Sequence, residues 1–382
     1  MKEAVRLWRG SYVASQRNNI SIFNISISHF SISQYFNISI FNISISQSSS
    51  STMIRKLLFA AFLLAATTTS LSAQEAVTPE NRLIALRHQL AESVSVKEQR
   101  TILQQMTSTG TFVAMTTLAQ HLDNVELQRT AAQGVATIAL SHPDYDGYLT
   151  RHLLARCLPY VGARQQKDII AQLGQTPVEG YVSHFNGIDL TGWKGLVENP
   201  VAREQMTPLQ LAEKQVEADE RMRENWQVEN GLLTYVGTGY DNICTVEQYG
   251  DFEMLVDWRL DPSGKEPDAG IYLRGTPQVQ IWDIARTDVG AQVGSGGLYN
   301  NQKNQSTPIT VADNKLGEWN SFYIRMVGDR VTVRLNGILV VDNVSLENYW
   351  DRQRPIFPIE QIELQAHGSK VYYRDIYIKR LN

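Results

Sequence analysis

Imidazole, guanidinium, carboxylate, amide and indole groups recur at every second position in four short segments of the last third of the chain. These are Asp251–Leu260 (DFEMLVDWRL), Ala269–Gly275 (AGIYLRG), Pro277–Asp283 (PQVQIWD) and Ile362–Gly368 (IELQAHG). In an extended strand, residues i and i+2 point to one face. One face therefore carries Glu253, Asp257 and Arg259, then Tyr272 and Arg274, then Gln278, Gln280 and Trp282, then Glu363, Gln365 and His367. The opposite face carries Phe252, Met254, Ile271, Leu273, Val279, Ile281, Ile362 and Leu364. A solvated sheet face is mostly Thr, Ser, Lys and Glu. A face of acids, amides, aromatics, Arg and His has the chemistry of a sugar-binding cleft instead.

The elements that must position these groups follow from composition and period. The chain has 382 residues and a formal charge of -4. That allows two or three domains and argues against a nucleic-acid partner. Residues 1–52 hold the heptapeptide IFNISIS twice and read as low-complexity sequence translated from upstream of the true start. Residues 53–73 read as an export signal: Arg55 and Lys56, an apolar run Leu57–Ala66, and small residues up to Ala73. The run is short for a membrane span. Export, to the periplasm, the cell surface or beyond, is the expectation. Only two cysteines are present, Cys157 and Cys244, and both read as small buried apolar residues rather than a bridge.

Apolar residues at three- and four-residue spacing predict an all-α unit over 76–174. Thr78-Pro79-Glu80 opens it with an N-cap hydroxyl and a proline at the first helical position. Six short helices in three pairs suggest a HEAT-like helical repeat, with an irregular bundle as the alternative. From residue 181 to 382 short alternating runs separated by turns predict an all-β sandwich. Asn230-Gly231 and Asn336-Gly337 are hairpin signals. Met206–Asn225 is charged and helix-prone, an excursion near a sheet edge.

Ordered motifs then give a resemblance. HFNGIDLTGWKG (His184–Gly195), NWQVENGLLTYVG (Asn225–Gly237), YGDFEMLVDWRL (Tyr249–Leu260) and DAGIYLRG (Asp268–Gly275) stand in sequence. VQIWD, GGLYN (Gly296–Asn300), GEWNSFYIRMVGDRVTVRLNG (Gly317–Gly337) and IELQAHGSKVYYRDIYIK follow. Together, over about Tyr181 to Asn382, they resemble the 3-keto-disaccharide hydrolase family, common in exported proteins of Bacteroidetes. The resemblance implies a concanavalin-A-like jelly roll with a sugar site on one concave sheet. It also implies cleavage of glycosides whose glucose ring carries a ketone at carbon 3. Two departures stand out: LQAHG where members often read LQDHG, and the helical excursion at Met206–Asn225.

A 3-keto group acidifies the hydrogen on carbon 2, so a base can form an enolate that expels the group on carbon 1. Such a route needs a base, positive charge near the enolate oxygen and an acid for the leaving oxygen. It does not need the carboxylate pair of an ordinary glycosidase. His367 is the candidate base, because its ordinary pKa lies near neutrality; the alternative is a hydrogen bond to substrate or turn. Tyr272 and Tyr299 are candidates to protonate the leaving oxygen or to stack on the sugar. Asp283 is either a catalytic carboxylate or a turn residue. Arg274 would hold the enolate or pair with Glu253 or Asp257. Gln280 and Gln365 would read hydroxyls, Trp282 would stack on a pyranose or fill the core, and Glu253 would contact substrate. A divalent metal ion is a possible cofactor, with His367, Glu253, Asp257 and Glu363 as candidate ligands, although no compact metal motif exists. A non-catalytic carbohydrate-binding module is the alternative to an enzyme. A conventional glucanase is disfavoured by the lack of a compact acid-rich signature. The helical unit is expected to scaffold the sandwich or recruit a protein partner.

Overall fold

The computed structural model describes residues 77–381. The low-complexity stretch and the export signal expected before them lie outside the described residues. The described chain is part of one compact unit.

Six α-helices come first: α1 (Pro79–Glu92), α2 (Val96–Thr107), α3 (Phe112–Ala119), α4 (Gln128–Ser141), α5 (Tyr148–Cys157) and α6 (Ala163–Leu173). The Thr78 hydroxyl accepts from the Asn81 amide, so the cap read from the sequence starts α1. Thr111 caps α3 in the same way. Consecutive helices pack on each other, and α4 also touches α2 and α6. Nothing in the unit beyond this pairing ties it to HEAT repeats.

Thirteen β-strands follow. One sheet has eight of them: β1 (Val182–Ser183), β3 (Trp226–Glu229), β4 (Leu232–Tyr235), β6 (Phe252–Leu260), β9 (Asn320–Val327), β10 (Arg330–Leu335), β11 (Ile338–Ser345) and β13 (Val371–Arg380). They run in the order β11-β10-β9-β6-β13-β4-β3, with β1 added against β13. The second sheet has five, β2-β5-β12-β7-β8: β2 (Trp193–Gly195), β5 (Ile243–Thr245), β12 (Glu363–Gln365), β7 (Asp268–Leu273) and β8 (Thr276–Trp282). The recorded pairings are antiparallel, so this is a jelly-roll sandwich. Phe252, Met254, Val256 and Trp258 of β6 meet Ile271, Val279, Ile281 and Leu364 of the other sheet in a shared core. The alternation predicted these inward residues, and their burial drives the two sheets together.

Three hairpins turn on two residues with positive φ. Asn230-Gly231 (52° and 76°) and Asn336-Gly337 (52° and 81°) are the expected pair. The third, Arg274-Gly275 (50° and 67°), joins β7 to β8.

The outward face of the eight-stranded sheet is covered by the helical unit. Leu255, Tyr181 and Tyr377 pack into the helical core. The Phe112 ring lies 5.4 Å from Tyr145, 4.7 Å from Tyr181 and 5.2 Å from Tyr377. A register break in β13 between Arg374 and Tyr377 is a bulge that re-aims side chains. There Arg87 of α1 bridges Asp257, at 3.5 Å, and Asp375, while Arg374 reaches Asp257 at 3.1 Å. A short helix α7 (Pro200–Glu204) precedes the helical excursion, which forms α8 (Pro208–Asn225), opened by a Thr207–Gln210 capping box. It packs on β2, at the edge of the five-stranded sheet. Gly195 of β2 has no room for a side chain there, since a Cβ would come within 2.0 Å of the Ala218 carbonyl oxygen. Cys157 and Cys244 are buried and unbridged.

Candidate active site on the five-stranded sheet

Register sorts the predicted rows between the two sheets. Gln365 of β12 lies opposite Gly270 of β7, which lies opposite Gln280 of β8. Glu363 is flanked by Tyr272 on one side and Cys244 on the other, and Cys244 by Lys194. Asp268 lies opposite Trp282. The outward face of this sheet therefore holds Asp268, Tyr272, Gln278, Gln280, Trp282, Glu363 and Gln365, with His367 just past the end of β12.

Glu253 and Asp257 belong elsewhere, which corrects two expected members of the site. They project from β6 on the outward face of the other sheet. Glu253 accepts from the Tyr181 hydroxyl at 3.0 Å and pairs with Arg325 at 3.4 Å. Asp257 is locked by Arg87 and Arg374. The expected metal set of His367, Glu253, Asp257 and Glu363 is thus divided between opposite faces of the sandwich. Among the described residues no group of three or more His, Cys, Asp or Glu side chains is gathered as ligands.

Two more expectations change. Arg274 sits in the β7–β8 turn, where it donates to the carbonyl oxygens of Pro358, at 3.0 Å, and Gly328. It is 3% exposed, and burial lowers its pKa. It fastens the turn and does not face the sugar-like surface. Asp283 follows β8 and accepts the Ala285 amide at 3.0 Å, the turn alternative to a catalytic carboxylate.

The residue that parity reasoning missed is Asp268. Glycine at 270 interrupts the row 268, 270, 272, so the row reads as starting at Tyr272. The Asp268 carboxylate accepts from the Gln280 amide at 2.7 Å. Its other oxygen lies 3.7 Å from Arg286 and 4.0 Å from His367 Nδ1. Burial raises its pKa, and His367, Gln280 and Arg286 pull against that rise. The side chains of Gln280 and Gln278 are spent inside the protein: Gln278 donates to Gln280, which donates to Asp268 and to two backbone carbonyls. Gln280 therefore holds Asp268 rather than reading hydroxyls.

Trp282 is tucked under the following loop. Its indole donates to the Gly294 carbonyl at 2.9 Å, and its ring meets Tyr299 edge-on at 5.2 Å. Tyr299 is half exposed at the rim. Tyr240, also exposed, stands edge-on to His367 at 5.1 Å.

The centre of the face is open by construction. A side chain at Gly270 would meet Gln365 Oε1 at 2.7 Å and Gln278 at 3.2 Å, so glycine leaves a floor between them. Around that floor, Gln365 Oε1, His367 Nδ1 and one Arg286 nitrogen are buried without a hydrogen-bond partner in the protein. On the far side Glu363 is 1% exposed, and burial, opposed by the Arg203 charge and aided by Glu360, pushes its carboxyl up to about 8. The Asn242 side chain accepts the Ala366 amide at 3.0 Å, and its neighbourhood lowers the pKa of both Glu363 and Tyr272 against the rise from burial. Burial and the nearby Glu363 raise the Tyr272 hydroxyl, which keeps its proton at neutral pH. The face thus opposes an imidazole–carboxylate pair to two protonated oxygen acids, separated by four strand residues, roughly 13 Å along the backbone.

Residues 180–379 match the family described as the 3-keto-alpha-glucoside-1,2-lyase-like domain. The chain belongs to that family. Its sandwich is accordingly a carbohydrate-active domain. No curated protein matched the sequence. Among solved structures, a candidate glycosyl hydrolase from Parabacteroides distasonis is 24% identical, with 53% of this chain and 95% of that one covered and a TM-score of 0.38. A carbohydrate-binding module from Bacillus subtilis is 13% identical over 50% of this chain and 96% of that one, with a TM-score of 0.29.

Proposed function

We propose that the outward face of the five-stranded sheet cleaves the glycosidic bond of 3-keto-glycosides by elimination. The observation that carries this reading is the convergence of His367, Asp268, Tyr272 and Glu363 around the Gly270 floor. A pyranose ring seated on that floor has His367 toward one side and Tyr272 toward the other. His367 takes the proton from carbon 2, with the Asp268 carboxylate facing its Nδ1 at 4.0 Å. The electron pair moves into an enolate at the carbon-3 oxygen, where the Arg286 guanidinium supplies positive charge. Collapse of the enolate restores the carbonyl at carbon 3, makes the bond between carbons 1 and 2 double and breaks the bond from carbon 1 to the leaving oxygen. Tyr272 gives that oxygen its proton, and Glu363, neutral and beside it, adds no repelling charge. Addition of water across the new double bond completes a net hydrolysis. Tyr299 and Tyr240 at the rim and Gln365 at the floor bind the sugar.

A divalent metal, if bound, would polarise the ketone as a Lewis acid, with the Asp268 carboxylate and His367 imidazole as its protein ligands. The order of charged, apolar and small residues in 53–73 supports export to the periplasm or beyond. The test incubates the protein from Gln74 onward with 3-keto-glucosides and the matching unoxidised glucosides, with and without EDTA. Cleavage restricted to keto compounds is the expected result. Binding of sugars with no cleavage of either class would make the domain a carbohydrate-binding module.

A further inference from the structure

The helical unit and the eight-stranded sheet enclose a cavity of about 410 Å3, on the side of the sandwich away from the face just described. Helix α1 contributes Glu80 and Ile84, β6 contributes Glu253, β13 contributes Lys379, and Tyr145 and Tyr181 add aromatic rings. Its volume lies within the range of about 300–1,000 Å3 typical of small-molecule sites. The wall mixes acceptors and donors. Tyr181 donates to Glu253, at 3.0 Å, and the Lys379 ammonium donates to the Asp144 carbonyl, also at 3.0 Å. The Glu80 Oε2 atom is buried and has no hydrogen-bond partner in the protein. Such an acceptor costs free energy until something donates to it.

We infer that this cavity is a second binding site, for a neutral polyhydroxylated ring of the saccharide class. Carboxylates and cations share the lining, so no single charge is selected. A hydroxyl both donates and accepts, which matches a wall of Glu, Lys and Tyr side chains. Ile84 and the tyrosine rings offer apolar surface to the C–H faces of such a ring. The site needs both units, because each supplies one wall. It takes an intact, unoxidised sugar, and it stands or falls independently of the elimination chemistry.

The experiment measures binding of cellobiose and of trehalose by calorimetry and saturation-transfer NMR. It uses the whole chain from Gln74 carrying His367→Ala, so that the catalytic face is impaired. One of the two sugars is expected to bind. Ile84→Trp, which fills the cavity, is expected to abolish that binding. Glu80→Gln, which keeps shape and removes the charged acceptor, is expected to weaken it about tenfold. Matching unfolding midpoints establish that the variants are folded, and Glu80→Gln alone decides should Ile84→Trp fail to fold. No binding of either sugar at about 10 mM would overturn the inference, and so would binding that Glu80→Gln leaves unchanged.

Discussion

Replacing Glu363 by Gln keeps the shape of a buried side chain and removes its titration. In the folded protein burial holds this carboxyl up to about 8, whereas its ordinary value is 4.5. Between those values the native state binds a proton that the unfolded state has released. Stability must therefore fall as pH rises through this window, by about 1.4 kcal/mol per pH unit for this one group. Below the ordinary value both states are protonated and the loss vanishes; above about 8 it is complete. Over the whole window the loss approaches roughly 5 kcal/mol, a large share of a typical domain's stability. Glu363→Gln has no such loss. Urea unfolding of both proteins at half-unit steps from pH 5 to 9 should show the variant gaining on the parent steadily, by about 3 kcal/mol between pH 5.5 and 7.5. Parallel stability curves would refute the reasoning, because they would mean that Glu363 is charged in the native state at neutral pH.

The same carboxyl stands beside Tyr272, so Glu363→Gln should retain most turnover of a 3-keto-glucoside, while Tyr272→Phe should lose about 10²–10⁴-fold for poor leaving groups. His367→Ala should cost a similar factor, and Asp268→Asn less. An unchanged kcat/KM in Asp268→Asn would remove Asp268 from its place beside the imidazole. Gly270→Ala fills the floor against Gln365 and should raise KM severalfold with little change in unfolding midpoint. Arg87→Ala leaves the buried Asp257 and Asp375 carboxylates with Arg374 alone and should cost about 1–3 kcal/mol in unfolding, with activity of the surviving folded fraction intact.

Alternation along a strand is local, and it located the inward residues of β6, β7, β8 and β12 correctly from the sequence. Sheet membership is not local. Glu253 and Tyr272 have the same parity relative to their cores, yet β6 pairs with β9 and β13 and β7 pairs with β8 and β12. No spacing within either strand reveals that, so one row of the expected site lies on the wrong side of the sandwich. Arg274 misleads for a different reason. Its φ of 50° belongs to a turn position that Asn or Gly usually takes, and the β7–β8 hairpin carries neither residue there. Asp268 was legible by extending the row past a glycine, a residue that carries no side chain to mark the face. The helical unit was legible as helices from cap and period, but its seat on the sheet rests on Arg87 meeting two carboxylates, Asp257 and Asp375, that lie far away in sequence.

Both outward faces carry buried charge, and the way that charge is satisfied separates structure from chemistry. On the eight-stranded sheet Asp257 has two guanidinium partners, and Asp375 shares both of them. That arrangement neutralises charge at an interface that the helices close. On the five-stranded sheet the Asp268 carboxylate has one good hydrogen bond, with Arg286 and His367 nitrogens at 3.7 and 4.0 Å. Those two nitrogens and the Gln365 Oε1 atom beside them have no hydrogen-bond partner in the protein. Folding alone would not favour three orphaned polar atoms around one glycine floor, since each costs about 1–3 kcal/mol when left unpaired. A bound sugar that supplies hydroxyl and carbonyl partners to all three recovers that cost on binding. This is the physical reason to place the chemistry on this face and the scaffold on the other.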